Sequence, residues 1–374
     1  MVAATFIAAC GAEAPEPTTQ GAQLALSTEL RQVSEPSQPA DFRGKVPRLG
    51  RGQAPRDTLA AARIFGDSTR FARISSIRVI GDRLLVTDRF MSLHVAVMDR
   101  ASGQILNQFG RHGSGPGEFL DPMWSVPISD SPPSAWLYDF QNRRFTRLDL
   151  NDPGRSADWK TRPMDLGVSV TQLVRSGPRY FANGLFPDFT LLVTDTLGQP
   201  QSRIVADPPF TPRDAPDMNG RRLLNRNFMA ANPGDGRFVL AYQFRSRLDF
   251  FTPDGERYGR ISGPRATRPS FGMRNGRFAW NDDNEMAFQG VAASRNYVYA
   301  LFCGCSIEEQ RTSSVVQVFR WNGDFVAELQ LDRPVLEIAV DEDRTLYGAA
   351  EEPYPGVAEW ALPPLGGTAT VARL

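Results

Sequence analysis

Acidic, amide and guanidinium side chains gather in short clusters along this chain: Asp88-Arg89-Phe90, Asp139-Phe140-Gln141-Asn142, Asn183, Gln243-Phe244-Arg245 and Glu351-Glu352. Each follows an apolar run, so each stands where an expected strand gives way to a loop. Carboxylate, guanidinium and aromatic groups brought to one rim would hold a polar ligand, a sugar or a peptide. The oxygen-bearing members Asp88, Asp139, Asn183 and Glu351 would instead hold a divalent cation such as calcium, if three or more converged within about 2.3–2.6 Å of one point. The plainer alternative is that the aspartates cap turns and the aromatics wedge between structural units. Asp88, Arg89, Asp139, Asn142, Asn183, Arg245 and Glu351 are the ligand-binding candidates, and no residue is assigned a catalytic role.

Cys303-Gly304-Cys305 is a second local feature. Side chains at i and i+2 of an extended strand share a face but stand too far apart for a relaxed disulfide. A bend at Gly304 would bring the sulfurs together, so the pair is a candidate disulfide; structural thiols and a redox or soft-metal role are the alternatives. The only histidines are His94 and His112, which excludes a three-histidine zinc site and leaves a carboxylate as the general base of any acid–base chemistry. Asn281-Asp282-Asp283-Asn284-Glu285 clusters oxygen ligands without the spacing of an EF-hand loop, and a solvated hairpin turn accounts for it more simply. No cofactor is therefore required. The 42 basic residues balance 42 acidic ones, which points away from nucleic acid as a partner. Lys45 and Lys160 are the only lysines, which limits Schiff-base chemistry to two positions.

The elements that would position these groups are strands. Runs at 93–98, 145–150, 191–195, 248–251, 315–319 and 357–362 each lead to a Gly-containing turn, among them Pro253-Asp254-Gly255 and Trp321-Asn322-Gly323. Asp-Gly and Asn-Gly favour hairpins because type I′ turns need φ > 0. Another strand pair precedes each run, as at 77–80 and 83–88 around Gly81-Asp82. Four strands per unit and six units predict an all-β fold, a six-bladed β-propeller over residues 58–374. The ring is expected to close through residues 61–65, with 368–373 as the alternative last strand. No helical stripe supports an α/β reading.

The front of the chain has a different character. Ile7-Ala8-Ala9-Cys10-Gly11 resembles a bacterial lipobox, so residues 1–10 are read as a lipoprotein signal remnant and Cys10 as the lipidated residue. Residues 11–57 are rich in Ala, Pro, Gln, Glu, Ser and Thr, without a sustained period of 2 or 3.6, and are read as a flexible tether. A lipid anchor holds a protein on one leaflet without a spanning helix. Gly11 after the cysteine favours the outer membrane, on its periplasmic or surface side.

Four glycines and a proline fall within Gly110-Arg111-His112-Gly113-Ser114-Gly115-Pro116-Gly117-Glu118-Phe119, which suits neither a helix nor a strand interior. This run resembles the inter-blade connection of NHL-repeat and related six-bladed propellers. With Val318-Phe319-Arg320-Trp321-Asn322-Gly323 and Leu331-Asp332 leading into Ile338-Ala339-Val340-Asp341, it makes residues 58–374 similar to bacterial lipoproteins of the TolB-like propeller class. The resemblance implies an extracytoplasmic propeller that binds at the mouth of its channel. The leading expectation is a binding or protein-interaction module whose partner is an envelope protein or a small polar ligand. The alternative is a lactonase-like hydrolase or lyase with a divalent cation in the central channel. A purely structural envelope protein is a third reading.

Overall fold

The computed structural model describes residues 42–50, 57–66, 69–152, 160–163, 170–186, 189–206, 208–211, 213–214, 217–307 and 312–365, with the backbone of 29–32. Blade 1 shows how the sequence makes its unit. Ser76–Ile80, Arg83–Thr87, Val95–Asp99 and Ile105–Phe109 pair antiparallel in chain order. The first turn is Gly81-Asp82, with Gly81 at φ +57°, a conformation that favours a residue without Cβ. The second strand is buried along nearly its whole length, because both of its faces meet a neighbouring layer. A strand buried on both sides reads as a continuous apolar run, which is what Leu84-Leu85-Val86 is.

The same unit recurs six times. The inner strands are Ser76–Ile80, Pro122–Asp130, Val170–Ser176, Asn227–Ala231, Phe288–Ala293 and the second half of Phe325–Asp341, and each neighbours the next in a closed ring. Phe325–Asp341 serves two blades: its first half is the outer strand of blade 5, and its second half pairs with Thr345–Ala350 in blade 6. Arg63–Phe65 pairs antiparallel with Gly356–Ala361 and completes blade 6, so the front of the propeller region closes the ring. The alternative closing strand, 368–373, lies outside the described residues. Closure leaves every blade sandwiched, and the apolar clusters lie between blades. One joins Phe65, Tyr347 and Val357 of blade 6 to Ile77, Leu84 and Val86 of blade 1.

The expected tether is corrected at its carboxyl end. Residues 42–50 run across blades 4 and 5 as a strap. Arg43 and Gly44 N–H groups donate to Asn322 O, Phe325 N–H donates to Lys45 O, and Leu49 N–H donates to Pro264 O. Phe42 sits edge-on to Phe250 and Tyr258, with ring centroids 5.7 and 5.8 Å away. Phe42 is half-buried, so its ring contributes about 1–1.5 kcal/mol through burial, which composition alone does not reveal. Asp57–Leu59 pairs parallel with Leu329–Leu331, and the backbone of Glu29–Gln32 pairs parallel with Ser202–Val205. Cys10 lies outside the described residues.

Two insertions build a lobe on blades 4 and 5. The first carries the helix Met218–Leu224, capped by Asp217, whose carboxylate accepts the Gly220 N–H. The second carries the hairpin Phe271–Arg274 and Arg277–Trp280, which turns at Asn275-Gly276 with φ of +53° and +75°. The expected solvent-facing turn is present at the start of 281–285, where Asn284 N–H donates to Asn281 O and Asp282 and Asp283 are exposed. Asn284 is buried, its Oδ1 accepts Ser270 N–H, and Glu285 accepts Arg268 N–H, so this stretch fastens the hairpin to blade 5.

Candidate functional site

Inner strands begin, and second strands end, on one face of the ring, because each such pair is antiparallel. The sequence candidates therefore do share a face. Most are occupied there by backbone groups. Asp88 accepts the N–H groups of Ala72 and Arg73, both at 2.7 Å, and that of Phe90 at 3.0 Å. Asp139 occupies the same place in blade 2 and accepts from Leu120 and Asp121 at 2.8 and 3.1 Å, and from Asn142 N–H and Nδ2. Each aspartate thus fixes the segment entering its own blade. Asn142 Nδ2 also donates to Gly113 O, and Asn142 Oδ1 accepts from Ser114 Oγ. Asn183 donates to Asn227 O and Oδ1, both at 2.8 Å, and so ties blade 3 to blade 4.

The groups of the expected cation arrangement have other partners in this geometry. Asp88, Asp139 and Asn183 are hydrogen-bonded as above, Glu351 pairs with Arg73 at 3.4 Å, and among the described residues no three His, Cys, Asp or Glu side chains group to hold a metal ion. Arg89 stands 3.5 Å from Asp121 and over the Phe90 ring at 5.0 Å. Asp121 was missed by the sequence reading because no motif marks it. Burial raises its carboxyl above the usual range, against the pull of Arg89.

The channel side chains are also cross-blade ties. Glu337 of blade 6 pairs with Arg78 of blade 1 at 2.9 Å, and the Arg78 guanidinium lies 5.9 Å from the Trp124 ring of blade 2. Burial pushes the Glu337 carboxyl up, and Arg78 opposes it. Gln172 of blade 3 accepts Met229 N–H and donates to Met229 O, at 2.6 and 2.9 Å.

The lobe over blades 4 and 5 is built differently. Phe210, Leu224, Phe244 and Met286 form a small apolar cluster under Phe271, Phe278 and Trp280. The helix approaches the hairpin so closely that a Cβ on Gly220 would fall 2.3 Å from the Phe278 ring. Cys303 and Cys305 are joined by a disulfide across Gly304, with Cα atoms 5.1 Å apart and Gly304 at φ +61°. Arg245 is exposed and stacks 4.7 Å from the Phe210 ring. Between the lobe, blade 4 and the strap lies a cleft of about 500 Å³.

The TolB-like 6-blade propeller-like family matches residues 70–343. The chain belongs to this family. Among solved structures it is similar to a protein of Bacteroides fragilis described as exported, with 12% identity, a TM-score of 0.53, and coverage of 86% of this chain and 99% of that one. It is also similar to a protein of unknown function from Bacteroides thetaiotaomicron, with 10% identity, a TM-score of 0.49, and coverage of 83% and 75%. At such identities the likeness is one of fold. No curated protein sequence matches. Among the described residues, no helix is long and apolar enough to cross a membrane.

Proposed function

We propose that this TolB-like propeller is a binding module, anchored outside the cytoplasm through a lipid on Cys10, that docks a partner on the lobe over blades 4 and 5. The observation that carries the reading is the distribution of exposed apolar side chains. Of the six large apolar side chains exposed among the described residues, Met218, Leu223 and Met273, at 44%, 37% and 56%, sit on the two insertions, whereas Phe90, Leu106 and Leu197 are spread over blades 1 and 3. Exposed methionine and leucine on a rigid platform suit protein recognition, since their solvation favours cover by a partner. The disulfide beside the lobe accords with an oxidising compartment. The carboxylates that a cation-dependent hydrolase would need are already engaged with backbone amides or an arginine.

The test is in-cell photocrosslinking from position 273, with position 106 on blade 1, itself exposed, as the control. The reading expects one envelope protein captured from 273 and not from 106. Equal capture from both positions, or none from 273, overturns the docking surface. Membrane fractionation of Cys10→Ala tests the anchor: the variant is expected in the soluble fraction, and unchanged membrane association would count against lipidation.

A further inference from the structure

The cleft beside the lobe holds more guanidinium than carboxylate. Arg48 from the strap, with Arg245 and Arg247 from blade 4, line it. Arg247 is held by Asp249, which is wholly buried, but the same carboxylate also takes Arg260 at 2.9 Å. One carboxylate therefore serves two guanidiniums. The neighbouring Arg265 is matched by Glu328 and adds no imbalance. Arg48 and Arg245 enter no ion pair among the described residues. The acidic group nearest in effect to Arg245 is Asp214, held below the usual carboxylate range first by its hydrogen bonds to Thr211 and then by Arg245 and Arg213.

A second observation points to a ligand at the same place. Ser246 Oγ and Thr267 Oγ1, both from lining residues, are shut off from solvent and have no hydrogen-bond partner among the described residues. The hydroxyls of Ser76, Thr87, Ser125 and Thr146 are likewise unpaired among the described residues, so what sets Ser246 and Thr267 apart is their place on the cleft beside two arginines. Gly263 closes over Ser246: its N–H donates to Ser246 O, and a Cβ there would fall 2.4 Å from Ser246 Oγ. Two hydroxyls without a partner and two arginines without an ion pair, among the described residues, thus belong to the lining of one cleft.

We infer that this cleft binds a small anion bearing carboxylate or phosphate groups, with Arg48 and Arg245 supplying charge and Ser246 and Thr267 donating hydrogen bonds. The inference rests on the reading of the chain as a binding module and names the chemistry of one ligand. Guanidinium forks suit both oxyanions, and the cleft's volume falls in the range of small-molecule sites. The strap wall brings Arg48 to the cleft, through Leu49 N–H on Pro264 O and Arg265 Nη1 on Gly50 O.

The experiment is calorimetric titration of the full chain at low ionic strength, with citrate in one arm and pyrophosphate in the other. Saturable binding with a stoichiometry of about one is expected in at least one arm, weakened about tenfold by Arg245→Ala and about threefold by Ser246→Ala. Citrate alone binding assigns a carboxylate ligand, and pyrophosphate alone a phosphate ligand. Absence of saturable binding in both arms overturns the inference. So does undiminished binding in an Arg48→Ala/Arg245→Ala variant that keeps the native circular dichroism spectrum. The crosslinking from position 273 separates the two readings: capture without anion binding removes the anion site and keeps the docking surface, and the reverse result does the opposite.

Discussion

The junction of blades 1 and 2 and the junction of blades 4 and 5 put similar residue types at equivalent places and use them for different ends. At the first, Asp139 and Asn142 reach back to the Gly-rich connector, and Arg144 donates to Ser114 O, Gly115 O and Glu118 O. Glu118 accepts Gly115 N–H, and Phe119 is fully buried. The carboxylates and the Asn142 amide there are all engaged inside the chain, while Ser125 Oγ, Arg144 Nε and Thr146 Oγ1 are buried without a hydrogen-bond partner among the described residues. At the second junction the connector is lengthened into a hairpin, Arg245 enters no ion pair among the described residues and lies over the Phe210 ring, and the hydroxyls of Ser246 and Thr267 are left unpaired. Whether a charged residue at a strand end is structural or available depends on how many backbone donors lie within its reach.

The sharpest way to break this comparison is to remove Asp139. Its loss would leave the buried N–H groups of Leu120 and Asp121, and that of Asn142, without an acceptor. We expect Asp139→Ala to lower stability by about 3–5 kcal/mol, read from urea unfolding. A loss below about 1 kcal/mol would mean that the connector is not held from blade 2. Glycine substitutions sharpen the contrast at smaller scale. Gly110 has φ +85°, and a Cβ there would fall 2.6 Å from the buried Phe119 ring. Gly276, in the lobe hairpin, has φ +75° with no atom within 4 Å of such a Cβ. Gly110→Ala is expected to cost about 2–4 kcal/mol, from backbone strain and overpacking together, and Gly276→Ala about 1 kcal/mol from strain alone. Equal shifts in the unfolding midpoint would contradict the packing difference.

The sequence made the blades legible because a propeller repeats its signals. Paired apolar runs, Asp-Gly and Asn-Gly turns and the Gly-rich connector each report on local backbone, and the structure follows them, including closure through Arg63–Phe65. The candidate site was legible only by type. Asp88 and Asp139 carry the charge that a ligand site needs, but their partners are amides of Ala72, Arg73, Leu120 and Asp121, which no side-chain pattern identifies. The strap was missed for a related reason. Phe42 is a lone aromatic in a Pro-rich stretch, and its value comes from the pocket formed with Phe250 and Tyr258 in distant blades. The Asn275-Gly276 turn was readable and marks the insertion that builds the lobe.

Asp121 gives the blade 1–2 junction a pH signature opposite in sign to that of Asp214 beside Arg245. Burial raises its carboxyl above 3.8, so the folded state holds this proton more tightly than the unfolded chain does. Its stabilising contribution is complete below 3.8 and is lost as pH rises through the higher folded value. The difference in unfolding free energy between Asp121→Asn and the parent should therefore move in favour of the variant as pH is raised from that region to neutrality. A difference that stays constant would remove the desolvation argument.

Arg245 supplies the smallest expected effect on stability and the most discriminating one. It is exposed, it enters no ion pair among the described residues, and its one aromatic contact is with Phe210 at the edge of the lobe. Loss of an exposed guanidinium over a ring costs at most about 0.5–1 kcal/mol. Arg245→Ala should thus unfold within about 0.5–1 kcal/mol of the parent while losing anion affinity about tenfold. Stability and binding are then uncoupled at this position, whereas Asp139→Ala acts on stability alone, its partners all lying outside the cleft. If Arg245→Ala were instead as destabilising as Asp139→Ala, its charge would be serving the fold, and the two junctions would be structural variants of one device.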